Sequence, residues 1–279
     1  VTRDSVAIKP AATTLLLRDD NPFQVLMMRR NRKAVFAGDM WVFPGGRVEP
    51  SEQSDLASYQ AFASPVGEPL SAFHLAAIRE LFEEAGILLA RQNKEKNLVK
   101  LTANPELLAV RESLHKGETD LLQILTKWRL TLANDWLHSM ARWVTPPGAL
   151  RRFDTRFFVG RLPVGQIPCQ DNSELVEQAF FSPLEALDAH RKGEMRMMTP
   201  TLNMLATLAC FESIEQLLEA LAKTTDELRV RVDSTGQLLY PDDKGYETAS
   251  TDTEFGWVRL RPRIRVHVSG GQPSSFIRN

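Results

Sequence analysis

Between Ala76 and Ile87 the chain reads AAIRELFEEAGI, and three of those residues are glutamates. At 100° per residue, Glu80, Glu83 and Glu84 fall on one side of a helix. Leu75, Ile78, Leu81, Phe82, Ala85 and Leu89 form the opposite stripe, which a core would take. The acids are badly placed for a helix alone. Glu80 and Glu84 are a like-charge i,i+4 pair, costing roughly 0.2–0.5 kcal/mol. Glu83 and Glu84 also sit just before Gly86, a helix-stop residue, and an anion at a helix C-terminus costs roughly 0.3–1 kcal/mol. Arg79 reaches Glu83 at i+4 and offsets part of this. A hard divalent cation, Mg²⁺ or Mn²⁺, turns the same repulsion into a binding site, because it takes carboxylate oxygens and keeps several waters. The alternative is a solvated acidic face. Upstream, FPGG (Phe43 to Gly46) adds two glycines where backbone can approach a ligand or offer a carbonyl to a metal.

Such residues need a scaffold. AATTLLLRDD (11–20) and FQVLMMRR (23–30), rich in β-formers around Asn21-Pro22, predict two antiparallel strands with a tight connection. MWVFPGGRVEP (40–50) predicts a third strand running into a turn. Residues 53–69 mix Ser, Pro and Gly and read as an inserted loop with a helical turn. LSAFHLAAIRELFEEAGILLAR (70–91) is the clearest helix. Residues 92–135 read as helical but polar, with TDLLQILTKWRLTLAND carrying apolar residues at helical spacing. MARWVTPP and RRFDTRFFVGRLP alternate as strands. SPLEALDAHRKG (182–193) opens on a Ser-Pro N-cap and N1 pair and stops at Gly193. TPTLNMLATLACF and SIEQLLEALA predict a helix pair, and the tail from Glu227, ending in RLRPRIRVHV, alternates like a strand. These elements predict an α+β fold with a mixed sheet covered by helices on both sides.

Other residues carry two readings each. Arg152, Asp154 and Arg156 share one strand face, which suits phosphate contacts or a salt-bridge ladder, and Arg151 adjoins them. Asp171, Glu174 and Glu177 in DNSELVEQAF suit a further acidic ligand or a solvated loop. His74 reads as structural, Trp41 and Trp143 as core, and Met195, Met197 and Met198 as core or a flexible wall.

Composition limits the function classes. The 279 residues are 43% hydrophobic and 25% charged, an ordinary globular balance. A net charge of −1 gives no electrostatic footprint for nucleic acid or an anionic membrane. No apolar run approaches the roughly 20 residues of a membrane span, and the first ten residues lack a signal-peptide core. Cys169 and Cys210 have no metal or redox spacing and read as buried thiols in a reducing, cytoplasmic setting.

REL-F-EE-A-GI, Arg79 to Ile87, resembles the second half of the Nudix box, and Gly46 followed by Glu52 resembles the first. Residues 53–78 lie between, a much longer gap than the motif has, so an insertion is implied. Glu68 is the other candidate for the first glutamate. MMRRNRKAVFAGDMWVFPGG, WVTPPGALRRFDTRFF, FFSPLEAL and TGQLLYPDDKGYE resemble the long, insertion-bearing branch related to the animal peroxisomal coenzyme A diphosphatase. The resemblance implies a Nudix-type α/β/α sandwich over 7–195, with insertions at about 53–69 and 92–135. A helical and strand extension, 196–279, would pack on the same domain. It implies Mg²⁺- or Mn²⁺-dependent hydrolysis of a pyrophosphate bond, with coenzyme A or acyl-coenzyme A the substrate and nucleotide sugars or dinucleotides behind it. Glu80, Glu83 and Glu84 would hold metal, one of them also deprotonating water. The Gly45 carbonyl and Glu174 would be further ligands, and Arg79 would orient a helix carboxylate. Gly46, Arg30 and Arg152 would meet substrate, with Arg29 and Arg32 beside Arg30. A silent nucleotide-binding module is the rival, although the box acids are intact. A homodimer is compatible with either reading.

Overall fold

The computed structural model describes residues 6–32, 37–92, 95–170, 175–249 and 256–266. Strands β1 (Ile8–Arg18) and β2 (Gln24–Arg30) form the expected antiparallel pair. They pair at Leu17↔Val25 and Arg18↔Gln24, beside their connection, and then part. The next segment fills the opening: β3 (Trp41–Val42) lines β2, and β4 (Gly45–Arg47) lines β1 at Ala11 to Thr13. Beyond β1 run β8 (Arg152–Arg161), parallel to it, then β7 (His138–Val144), antiparallel. The C-terminal strands β10 (Leu228–Arg229) and β13 (Trp257–Val258) extend this side, β13 bonding to β7. The sheet is therefore mixed, as expected.

Alternation along the strands sends side chains to two cores. Ala12 and Leu16 of β1, Leu26 and Met28 of β2 and Phe158 of β8 enter one. Leu15, Leu17, Val25, Met27, Phe157 and Val159 enter the other. The first core is covered by α3 (Ala72–Ala85) and by α4 (Pro105–His115) and α5 (Leu121–Trp128) of the 92–135 segment. The second is covered by α6 (Pro183–Arg191), α7 (Thr199–Leu208) and α8 (Ile214–Lys223). Helices thus lie on both faces. Among the described residues no helix is long and apolar enough to cross a membrane.

Several expectations need correction. The acid-bearing helix stops at Ala85 rather than 91: Gly86 takes a left-handed φ of 66° and its N–H caps Phe82. Leu89 is buried but outside the helix, and Ala90–Gln92 form a short strand, β5. Residues 53–69 are more helical than a loop, with α1 (Pro50–Ser54), α2 (Leu56–Tyr59) and a 3₁₀ turn. The helical pattern through Leu130 and Leu132 ends at Trp128, and Leu130–Leu132 pair with β5 as β6. DNSELVEQAF suits a further ligand or a solvated loop, but Leu175–Phe181 form a strand, β9, bonded to β2. Between β10 and β13 in the chain, β11 (Arg231–Val232) and β12 (Leu238–Leu239) form a separate ladder. The alternation of RLRPRIRVHV makes no strand over its described residues, 259–266, where Pro262 lacks a ladder donor. Cys169 is exposed and Cys210 half-buried, so neither is the buried thiol expected.

Candidate active site

Glu80, Glu83 and Glu84 occupy the last turn and a half of α3, but they do not face bulk water. The helix is buried on almost every side: Glu84 is 5% exposed and Arg79 8%. Arg79 organises the acids. Its Nε donates to Glu52 Oε1 at 2.8 Å, Nη1 to Glu80 Oε1 at 2.9 Å and Glu83 Oε2 at 3.4 Å, and Nη2 to the Arg47 carbonyl at 2.8 Å. Glu52 is itself fixed by the Glu49 N–H at 2.7 Å in the capping box of α1. Glu68, the other candidate for that position, bonds Ser139 and Arg259 instead. Of the two, Glu52 is the one that meets Arg79.

The glycines contribute close approach. A Cβ on Gly46 would lie 2.3 Å from Glu80 Oε1, and one on Gly45 2.3 Å from the Ala12 carbonyl. Gly45 donates its N–H to Glu84 Oε2 at 2.7 Å. Side-chain-free backbone is therefore required at Gly46 for Glu80 to rest against β4, and at Gly45 for β4 to lie close on β1.

Burial sets the electrostatics. Desolvation, aided by the Glu80 charge and opposed by Arg79, pushes the Glu83 carboxyl up to about 7. The Glu52 carboxyl is also raised by burial, against the pull of Arg79. Burial pulls Arg79 down, but the Glu80, Glu52 and Glu83 carboxylates outweigh it and hold the guanidinium above the usual arginine range.

The acids line one part of a cavity of about 1460 Å³. That exceeds the roughly 300–1,000 Å³ of a common small-molecule site, so an elongated ligand fits. Its floor is the sheet face left uncovered where β1 and β8 run side by side: Lys9, Ala11 and Thr13 against Phe153, Thr155 and Phe157. Arg30, Arg47, Arg151, Arg152 and Arg196 supply positive charge, and Trp143, Phe43, Met195, Met197 and Met198 an apolar wall. The methionines are thus wall as well as core. Trp41 is core, edge-on to Phe181 at 5.3 Å.

The structure brings together Arg79, Glu80, Glu83, Glu84, Gly45, Gly46, Arg30 and Arg152 around this cavity. It does not bring Arg29 and Arg32 there; they pair with Glu177 and Asp39. The proposed ladder is absent as drawn: Asp154 takes Arg142 across the strands at 2.7 Å, while Arg156 lies over the Phe73 and Trp257 rings. His74 is structural, its Nδ1 2.8 Å from Ser71 Oγ and its ring on Phe158. Asp171 and Glu174 lie outside the described residues. Sequence reasoning missed Arg111 and His115 of α4. Arg111 donates to the Glu83 and Glu84 carbonyls, and His115 lines the cavity, its charge acting on Glu83. No local signal marks them, because their partners are 27 to 32 positions away in the chain.

Known proteins resemble the chain over most of its length. Residues 56–208 match the model of the family described as the NUDT19 Nudix domain. Acyl-coenzyme A diphosphatase NUDT19 of Xenopus laevis is 29% identical over 236 residues, 70% of this chain and 62% of that protein. The Homo sapiens protein of the same name is 29% identical over 191 residues, 63% of this chain and 51% of its own. The match thus spans between half and two thirds of those relatives. A crystal structure of a NUDIX hydrolase from Alicyclobacillus acidocaldarius superimposes with a TM-score of 0.63 at 28% identity, covering 77% of this chain and 97% of that one. With its arginine-centred acids, its glycine strand and this match over more than half its residues, the chain belongs to the NUDT19 Nudix domain family.

Proposed function

We propose that the protein is a divalent-metal-dependent diphosphatase that cleaves the pyrophosphate bond of coenzyme A or acyl-coenzyme A. The observation that carries this is the placement of three carboxylates of one helix beside glycine backbone on the wall of a large, basic-lined cavity. The names of the Xenopus and human relatives supply the substrate class.

The residues suit a hard cation. Every side-chain donor in the cluster is a carboxylate oxygen, the ligand type Mg²⁺ and Mn²⁺ take. In this conformation Glu80 and Glu83 turn one oxygen each to Arg79, and among the described residues no three His, Cys, Asp or Glu groups close on one point. Glu80, Glu83 and Glu84 would hold the ion, with Gly45 and Glu174 as further proposed ligands. When bound, such a cation neutralises diphosphate charge and lowers the pKa of a coordinated water. Arg79, anchored by Glu52, keeps two of the acids in place. Arg30, Arg152 and the Gly46 backbone are proposed to meet the phosphates, and the Trp143 and methionine wall excludes water from the rest of the substrate. One helix carboxylate takes a proton from the attacking water.

Residues 7–195 form the catalytic domain in this proposal, and 196–279 its extension. The site of action proposed is cytoplasmic, because the exposed Cys169 thiol persists best in a reducing compartment. The test is release of phosphorylated products from coenzyme A, acyl-coenzyme A, nucleotide sugars and dinucleotides with Mg²⁺ or Mn²⁺. Coenzyme A species are expected to be cleaved, and Glu83→Gln to lower kcat by about 10²-fold or more with its circular dichroism unchanged. Turnover at the wild-type rate in that variant removes the metal role. Preference for dinucleotides or nucleotide sugars reassigns the substrate, and binding without turnover of any compound leaves a silent nucleotide-binding module.

A further inference from the structure

The acidic residues sit where a helix tolerates them least, and the compensation comes from the inserted segment. The last four carbonyls of a helix have no partner within it. In α3 the Phe82 carbonyl accepts from Gly86 N–H at 3.0 Å and the Ala85 carbonyl from Cys169 N–H at 2.8 Å. The remaining two belong to Glu83 and Glu84, and both are taken by one side chain. Arg111 of α4 donates Nε to the Glu83 carbonyl and Nη2 to the Glu84 carbonyl, each at 2.8 Å. A guanidinium presents its donors in a rigid planar fork, so bonding two consecutive carbonyls fixes the path of the backbone between them. Its charge also lies at the negative end of the helix dipole, in the place where Glu83 and Glu84 are otherwise disfavoured. Leu107 and Leu114, buried in the core, anchor α4 on either side of the arginine. The close fit extends to Gly86, where an added Cβ would meet Arg111 Nη1 at 3.2 Å.

We propose that Arg111 is a positioning residue for the candidate metal site, fixing the backbone of the Glu83–Glu84 turn that carries two of the proposed ligands. The inserted helix α4 is then part of the active site rather than an appendage to it. The proposal rests on the metal reading above, and its test separates the two. Mn²⁺ is titrated into metal-free wild type, Arg111→Met and Arg111→Lys, with free Mn²⁺ followed by its paramagnetic resonance. The thermal midpoint of each metal-free protein is measured in parallel. Loss of a residue that orients metal ligands commonly weakens metal affinity by 10–100-fold, so Arg111→Met is expected to raise the Mn²⁺ dissociation constant about 10-fold. Arg111→Lys, which keeps the charge and loses the fork, is expected to recover only part of that. Wild-type Mn²⁺ affinity in the variants overturns the proposal whether or not their midpoints fall, since packing alone then accounts for the arginine. Should the methionine variant not fold, the lysine variant decides alone. A wild-type protein that takes up no Mn²⁺ overturns the metal reading and this proposal with it.

Discussion

Arg79 holds Glu52, Glu80 and Glu83 at once, and all four side chains are largely buried. Removing one member of a buried ionic cluster strands the others, at about 3–5 kcal/mol, so the site's order is bound to the fold's stability. Glu52 could not be chosen over Glu68 from spacing, because the choice depends on how the intervening helices fold. His74 carries a separate prediction at this scale. Burial holds its imidazole down at about 4 from an ordinary 6.5, with the Glu68 charge opposing. A base whose pKa is depressed on folding contributes stability that is present above 6.5 and lost as pH falls from 6.5 to about 4. Relative to wild type, metal-free His74→Phe is therefore expected to gain up to about 3 kcal/mol across that interval. Urea unfolding at stepped pH checks this, and the paired comparison cancels the opposite slope that Glu83 contributes. Parallel stability curves would rule out a neutral, buried His74.

At the scale of elements, legibility followed locality. Helix α6 could be read because its signals lie within one turn: Ser182 accepts from Glu185 N–H while Glu185 accepts from Ser182 N–H, with Pro183 at the first helical position. The strand β9 was missed because it is only half-buried beyond Leu175, and exposed Val176 and Glu177 blur the alternation. Arg111 was invisible for another reason. Its partners are main-chain carbonyls, which have no sequence signature. Gln166 belongs to the same class. It is 4% exposed, accepts from Leu88 N–H at 2.8 Å and donates to the Leu88 and Val99 carbonyls at 2.9 and 2.8 Å. It thereby satisfies buried backbone of the segment that follows α3. The Leu88 carbonyl also accepts from Ala90 N–H at 3.1 Å, so Gln166→Ala leaves the Leu88 N–H and the Val99 carbonyl without that partner and is expected to destabilise by about 2 kcal/mol or more, as denaturant unfolding would measure. A loss below ~1 kcal/mol would show that water replaces the amide.

For the whole molecule, alternation and the helix periods were enough to predict a mixed sheet between helical layers, and the family resemblance placed the insertions, while the cavity, lined by residues far apart in the chain, was beyond both. The C-terminal strands bear on stability most directly. Val230, Leu238, Leu239, Tyr240, Tyr246, Trp257, Val258 and Val266 are all buried, and β13 pairs with β7. At about 1.5–3 kcal/mol for each such apolar side chain, their sum rivals the 5–15 kcal/mol net stability of a typical domain. A chain ending at Asp226 is therefore expected to lose cooperative thermal unfolding, as calorimetry would show. A sharp, wild-type-like transition would instead make 196–279 partly separable, against the single unit proposed.

The parting of β1 from β2 has a consequence of its own. Because β3 and β4 wedge into that fork, one continuous ribbon, Val42 to Arg47, borders both the glutamates and the floor of the cavity. Widening or narrowing the gap would shift the acids' glycine support and the cavity wall together. A substitution in this ribbon is therefore expected to disturb both at once, whereas one at the exposed Leu150 touches the cavity wall alone.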